Sequence, residues 1–113
     1  MDARAILFVA PRQVEVRPVQ LPALTEGDVL VQTSHSGISA GSELLAYRGD
    51  VDPSLSLDET IDALGGTFRY PFQYGYSCVG EVERGAGAVT EGDQVFAFHP
   101  HQDRLVVPAT DVI

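Results

Sequence analysis

Three histidines and a neighbouring carboxylate are the residues whose types suggest metal chemistry. His99 and His101 flank a proline, and Asp103 follows two positions later. Two imidazoles on one loop hold a metal ion firmly only when further strong ligands complete the coordination shell. No third strong ligand adjoins this pair, so we predict no metal site and favour a loop that lines a cleft. His35 follows a predicted strand and is interpreted as a partly buried, hydrogen-bonded histidine.

The single cysteine, Cys78, limits two further kinds of chemistry. One cysteine cannot form an internal disulfide, which excludes the secreted proteins built on a disulfide framework. A cysteine that stands alone usually behaves as a small hydrophobic residue. We therefore interpret Cys78 as a buried apolar side chain rather than a reactive thiol.

Length and charge bound the class of protein. The chain has 113 residues, which suits one domain with a modest core. Seven basic residues, all of them arginine, face sixteen acidic ones, and the formal charge is -9. Nucleic acids and anionic membrane surfaces attract clustered positive charge, so neither is an expected partner. No signal-type segment and no apolar stretch of about 18 residues occurs, so we expect a cytoplasmic protein.

The elements that position these residues are predicted to be mostly short β-strands. Glycines and prolines are spread along the chain, as is typical of frequent turns. Apolar or alternating segments between them predict a mainly β sandwich or barrel. No βαβ alternation is present, so a nucleotide-binding parallel sheet is not expected. The predicted strands are residues 3–9, 13–19, 29–33, 78–84, 94–98 and 104–107.

Two short helices are predicted between the third and fourth strands. Ser39 is a candidate N-cap for a helix over residues 40–47. A second helix is predicted over residues 56–64, because Ser56 and Glu59 have capping-box spacing and Leu57, Ile61 and Leu64 recur at helical spacing. Gly65 and Gly66 would end that helix. It lies in a long excursion over residues 50–70, and such excursions are often functional.

The glycines from residue 75 onward follow an ordered pattern. Gly75, Gly80 and Val82 form G-x-x-x-x-G-x-V, a G-x-G turn follows at residues 85–87, and Gly92-Asp93 begins G-D-x-V. Together with Val29-Leu30-Val31 and Ser36-Gly37-Ile38-Ser39 upstream, the pattern resembles the N-terminal, GroES-like domain of medium-chain dehydrogenases/reductases, the zinc alcohol dehydrogenase superfamily. The resemblance covers essentially the whole chain and implies a partly open β-barrel. Turn chemistry and close backbone approach explain these glycines and Asp93 without any contact to substrate.

The resemblance also implies where a catalytic zinc would bind. Zinc members of the family carry a cysteine and a histidine at the positions that Ser39 and Tyr76 occupy here, and Ser77 replaces the following glutamate. Serine and tyrosine hydroxyls are poor substitutes for a thiolate and an imidazole as zinc ligands. The family's cysteines for a structural zinc are missing as well. We therefore expect no zinc cofactor.

Without zinc, the resemblance leaves hydroxyl groups at the active site. Ser39, Ser42, Glu43 and Tyr76 are the catalytic candidates, since a hydroxyl or phenol can donate a hydrogen bond to a developing alkoxide. Ser42-Glu43 corresponds to a proton-relaying pair in the family, but one additional residue separates Ser42 from Ser39. Helix-start chemistry is the alternative for Ser42 and Glu43. For Tyr76 the alternative is a core aromatic residue whose hydroxyl has a backbone partner.

The surrounding segments narrow the resemblance to one branch. The loop at residues 37–43, the segment at 57–61 and the tyrosine-rich stretch at 70–76 resemble bacterial dehydrogenases near the bacteriochlorophyllide and sorbitol-type enzymes. The resemblance does not fix a substrate.

The resemblance implies that residues 1–113 are one domain of a longer enzyme. Family members continue into a Rossmann domain that binds NAD or NADP, and no G-x-G-x-x-G motif opening a helix occurs here. The expected function is the substrate side of an NAD(P)-dependent oxidoreductase for a small alcohol or carbonyl compound. The full-length enzyme is a candidate homo-oligomer. The alternative is a stand-alone GroES-like module for binding or oligomerisation, without catalysis.

Overall fold

The computed structural model describes residues 1–58, 60 and 62–113, and of Asp62 only the backbone. These residues form six β-strands and one α-helix, and two single 3₁₀ turns among them lie at Asp62–Leu64 and Ala109–Asp111. The mainly β class is therefore confirmed. The elements are β1 (Asp2–Ala10), β2 (Gln13–Gln20), β3 (Asp28–Ser36), α1 (Ala40–Arg48), β4 (Cys78–Arg84), β5 (Gln94–Ala97) and β6 (Arg104–Pro108).

The strands form two antiparallel sheets. One is the β1–β2 ribbon, and the other has the order β5-β4-β3-β6. Backbone hydrogen bonds connect β1 to the loop before β6, from Ile6 to His101 and from Asp103 to Arg4. The two sheets give the partly open arrangement of a GroES-like barrel.

Alternating side chains of the four-stranded sheet build the main hydrophobic cluster. β4 alternates between buried and exposed positions, and its buried face meets the inward residues of the neighbouring strands. This packing supports the strand ends from which the loops at residues 37–39 and 98–103 extend. The cluster consists of Val29, Val31, Cys78, Val82, Val95, Ala97, Leu105 and Val107.

A second, aromatic cluster holds α1 against β1 and the excursion. Phe8 of β1 stacks on Phe72, with ring centroids 5.2 Å apart, and the two residues also exchange backbone hydrogen bonds. Ala46 of α1 is buried in this cluster together with Tyr74, and the neighbouring Tyr47 packs against it. The helix ends at Gly49, whose φ of 77° suits a left-handed C-cap. These contacts fix α1 beside the segment that leads to Tyr76.

The predicted helix over residues 56–64 is wrong in the part that the structure describes. Ser56 forms a bridge with Thr67, and Leu57 N–H donates to the Gly66 carbonyl at 3.1 Å, so the segment folds back on itself. Leu57 and Leu64 are both buried in the aromatic cluster, Leu57 from this turn and Leu64 from the single 3₁₀ turn at Asp62–Leu64 rather than from an α-helix. Tertiary packing has overridden the local periodicity. Two residues of the prediction, Glu59 and Ile61, lie outside the described residues.

No helix in the described part of the chain has the length and apolarity required to cross a bilayer.

Candidate active site

The start of α1 presents Ser39 and Ser42 on one side of the helix. Ser39 is the N-cap residue, but its hydroxyl makes no capping hydrogen bond. The side chain of Glu43 reaches back to the N-cap instead, and its Oε2 accepts the Ser39 backbone N–H at 2.5 Å. Since the hydroxyl of Ser39 is not used for capping, it is available to the side chains around it.

Three hydroxyl groups meet at this point. Ser42 Oγ lies 3.1 Å from the Tyr76 hydroxyl and donates to Ser39 Oγ at 3.4 Å. Gly37 N–H donates to the Ser77 carbonyl at 2.8 Å and so ties the loop before α1 to the segment that carries Tyr76. The structure therefore brings together Ser39, Ser42 and Tyr76, which we call the hydroxyl cluster.

The carboxylate of Glu43 points away from solvent. Glu43 is 4% exposed, and its Oε1 makes a very short contact with Nε2 of His101, which is 5% exposed. The other ring nitrogen of His101, Nδ1, pairs just as closely with the Ser36 hydroxyl at the end of β3. A buried carboxylate needs a partner of this kind, because burying an unpaired charge is very costly. Both polar residues that the structure buries among its described residues therefore belong to one pair.

Sequence reasoning missed this partnership. It placed His101 in a cleft-lining loop and Glu43 at a helix start or a relay, and 58 positions separate the two residues. No local spacing rule connects them, and only the fold brings the loop after β5 against α1. The sequence held one signal: Glu43 lies in a short helix, and a glutamate on the buried face of such a helix needs a partner.

The backbone at Gly75 allows the histidine to enter. Gly75 has a φ of 118°, and a Cβ there would lie 2.5 Å from His101 Nε2. Only glycine suits both the positive φ and the close approach. The packing of His101 thus explains why residue 75, which precedes Tyr76, is a glycine.

Aromatic side chains form the wall behind Tyr76. Tyr74 and Tyr76 meet edge to face with their ring centroids 6.2 Å apart. Burial raises the pKa of the Tyr74 phenol, although a hydrogen bond with Ser42 opposes this shift. The Ser42 side chain therefore lies against a partly desolvated aromatic surface.

Known proteins resemble this chain in sequence and in fold. No protein-family model matches the sequence. A curated relative, 2-desacetyl-2-hydroxyethyl bacteriochlorophyllide A dehydrogenase of Cereibacter sphaeroides, is 34% identical over 98 residues, which are 85% of this chain and 27% of that protein. The chain thus spans about a quarter of the length of this relative.

Solved structures resemble the whole chain in fold. A probable oxidoreductase from Mycobacterium abscessus has a TM-score of 0.71 at 19% identity, over 100% of this chain and 35% of that one. An alcohol dehydrogenase from Thermus sp. ATN1 has a TM-score of 0.62 at 24% identity, over 95% and 38%. A short chain alcohol dehydrogenase from E. coli CFT073, solved with NADH, has a TM-score of 0.66 at 19% identity, over 99% and 38%.

The chain has the GroES-like fold of medium-chain dehydrogenases/reductases. Its resemblance to their N-terminal domain is thereby confirmed. Within this GroES-like domain, Ser39 and Tyr76 of the hydroxyl cluster are the two residues for which the resemblance predicts the positions of zinc ligands.

The donor set of this GroES-like domain does not fit a catalytic zinc. Ser39 and Tyr76 offer hydroxyl oxygens, and these already bond to Ser42. Zinc sites in proteins use thiolate, imidazole and carboxylate ligands. Glu43, the carboxylate nearest in sequence, is held by His101 and by the Ser39 amide. Among the described residues, no group of three His, Cys, Asp or Glu side chains is placed to hold a metal ion.

The three remaining candidates from the sequence occupy separate places. His99 lines a groove of about 610 Å³ beside β6, and burial lowers the pKa of its imidazole. It does not join His101, which points toward α1 instead.

Cys78 is 1% exposed in the main cluster, and burial raises the pKa of its thiol. Its interpretation as a buried residue is confirmed. The interpretation of His35 as partly buried is wrong, because His35 is exposed, and its imidazole pairs with the Ser34 hydroxyl.

Proposed function

We propose that this chain is the substrate-side domain of an NAD(P)-dependent oxidoreductase that interconverts an alcohol and a carbonyl compound without a catalytic zinc. The observation that carries the proposal is the hydroxyl cluster, in which Ser42 lies between Ser39 and Tyr76. The dehydrogenase relatives support the reaction class. The donor set supports chemistry based on hydrogen bonds rather than on a metal.

In this proposal Tyr76 is the residue that contacts the substrate oxygen. Its phenol donates a hydrogen bond to the carbonyl oxygen, and that bond strengthens as negative charge develops there. Ser42 orients the phenol, since their oxygens are 3.1 Å apart, and it can donate to the phenol oxygen when its one proton turns from Ser39 toward Tyr76. Ser39 holds Ser42 from the other side. Glu43 keeps the start of α1 in place through the Ser39 amide.

The nicotinamide cofactor belongs to a part of the protein outside this chain. NAD or NADP, held mainly by a Rossmann domain, supplies or accepts the hydride when it is bound. This GroES-like domain contributes the wall of the cleft and the hydrogen-bond donors. The domain assignment of residues 1–113 is part of the same proposal.

The parent protein provides the test. We expect the reading frame to continue past the codon of Ile113 into a nicotinamide-binding domain. We also expect the parent to transfer deuterium from carbon-4-labelled NADH or NADPH to a carbonyl substrate. A stop codon after Ile113, together with saturable binding of small molecules by this chain without nicotinamide, would instead support a stand-alone binding module.

A further inference from the structure

The buried histidine His101 lies where the two halves of the hydroxyl cluster meet. We propose that His101 is a positioning residue for the proposed reaction, which acts through Glu43 to hold Ser39 and Ser42 against Tyr76. This inference rests on the proposed function, because it concerns the same site.

The first argument is that both ring nitrogens of His101 have side-chain partners. Nε2–H donates to Glu43 Oε1, while Nδ1 pairs with the Ser36 hydroxyl. A ring held at both nitrogens has one orientation, and it sets the orientation of the carboxylate that it contacts. His101 is anchored in turn by its backbone carbonyl, which accepts the Ile6 N–H of β1 at 3.1 Å.

The second argument is that Glu43 transmits this orientation to the start of α1. One carboxylate oxygen binds His101, and the other accepts the Ser39 N–H at 2.5 Å. Because the Ser39 hydroxyl does not cap the helix, this carboxylate is the capping group that the described residues supply. If Glu43 turns away, the Ser39 N–H loses its acceptor. The start of α1 is then no longer fixed, and neither are the positions of the Ser39 and Ser42 hydroxyls.

The third argument concerns the backbone of Gly75, which lies against the Nε2 edge of the ring. Nε2 would lie 2.5 Å from a Cβ at residue 75, so the imidazole packs directly on the backbone of Gly75. Tyr76 is the next residue. One ring thus contacts the segment of Tyr76 and the carboxylate that fixes the serines, and it sets the separation of the two parts of the cluster.

Asparagine and glutamine substitutions separate positioning from packing. A glutamine amide reaches the place of Nε2 and can still donate to Glu43, whereas an asparagine amide reaches only the place of Nδ1 and Ser36. In the 113-residue chain, we expect amide hydrogen exchange at Ser39 to be about tenfold faster in His101→Asn than in His101→Gln, as for one lost hydrogen bond. In the parent enzyme, we expect kcat to be about tenfold lower in His101→Asn than in His101→Gln, with KM similar, because misplaced groups lower turnover.

A matched control is His35→Gln, which changes an exposed histidine outside the hydroxyl cluster and should alter neither measurement. Equal effects of the two His101 variants, or no effect of either, would assign His101 to packing and overturn the inference. If the asparagine variant does not fold, the wild-type chain still decides: a slowly exchanging Nε2–H signal of His101 supports the inference, and its absence overturns it. A parent without nicotinamide-dependent turnover would refute the proposed function, while exchange at Ser39 would still test the positioning role.

Discussion

The hydroxyls of Ser42 and Tyr76 are the residues on which the chemical account depends. They come from segments 34 positions apart, and their oxygens lie 3.1 Å from each other. Sequence comparison with the family placed both in one site, because family positions are aligned regardless of their separation along the chain. It could not supply the partner of Glu43, since His101 belongs to no family motif that the sequence displayed. The roles of Ser39, Ser42, Glu43 and Tyr76 in catalysis stay predictions.

The first prediction concerns the phenol of Tyr76. Tyr76→Phe in the parent enzyme removes the proposed donor to the substrate oxygen, and we expect kcat/KM to fall by roughly 100-fold, as for an oxyanion-stabilising donor. The free energy of unfolding should change by only about 1 kcal/mol, because one hydrogen bond to Ser42 is lost. Steady-state kinetics and urea unfolding measure the two quantities.

Tyr70→Phe is the matched control. This substitution also removes a phenolic hydroxyl. In the wild type, the Tyr70 hydroxyl donates to the Ala46 carbonyl at 3.4 Å, away from the hydroxyl cluster. Its kinetics should match those of the wild type. Unchanged turnover in Tyr76→Phe would assign Tyr76 to packing, the alternative that the sequence left open.

At the scale of elements, the strands were predictable and the excursion was not. Each of the six strands agrees with its prediction to within a few residues, because apolar and β-branched runs between turn residues favour strands. Burial alternates along β4, β5 and β6, but not along β2, where Val14 and Val16 are exposed. The helix α1 also begins after Ser39 as predicted. Around Leu57, by contrast, apolar spacing indicated a helix, although the residues are buried by a turn against Phe72 and Tyr74. Burial without regular structure gives no period that sequence reasoning can use.

The second prediction tests the glycines at this scale. Gly80 pairs with Thr33 across β3 and β4, and a Cβ at Gly80 would lie 2.2 Å from the Gln32 carbonyl oxygen. We expect Gly80→Ala to destabilise the domain by about 1–3 kcal/mol, since the backbones must separate. Urea unfolding followed by circular dichroism measures the change.

Gly41→Ala is the control of opposite sign. Gly41 lies in the first turn of α1, and a Cβ there meets nothing within 4 Å. Alanine should therefore raise stability by about 0.5–1 kcal/mol, because it reduces the entropy of the unfolded chain. A neutral Gly80→Ala would show that β3 and β4 do not approach each other as closely as described.

At the scale of the whole molecule, the acidic charge and the single cysteine bear on which partners and which metal ligands the chain offers. A formal charge of -9 argues against nucleic acid as a partner, as the composition already indicated. Cys78 lies inside the main hydrophobic cluster, so its thiol is not a ligand for a metal ion at the hydroxyl cluster. The fold is that of the GroES-like domain of medium-chain dehydrogenases/reductases, whereas the hydroxyl groups of Ser39 and Tyr76 do not fit a catalytic zinc. The fold follows from strand patterning and glycine spacing, but the chemistry depends on a few side chains that the fold does not dictate.

The zinc content of the active parent enzyme tests the central claim most directly. The protein is purified without added metal, analysed for zinc by elemental analysis, and assayed for nicotinamide-dependent turnover before and after exhaustive treatment with a chelator. The account predicts far less than stoichiometric zinc and turnover that chelation does not change. Stoichiometric zinc, with turnover lost on chelation and restored by zinc alone, would contradict it.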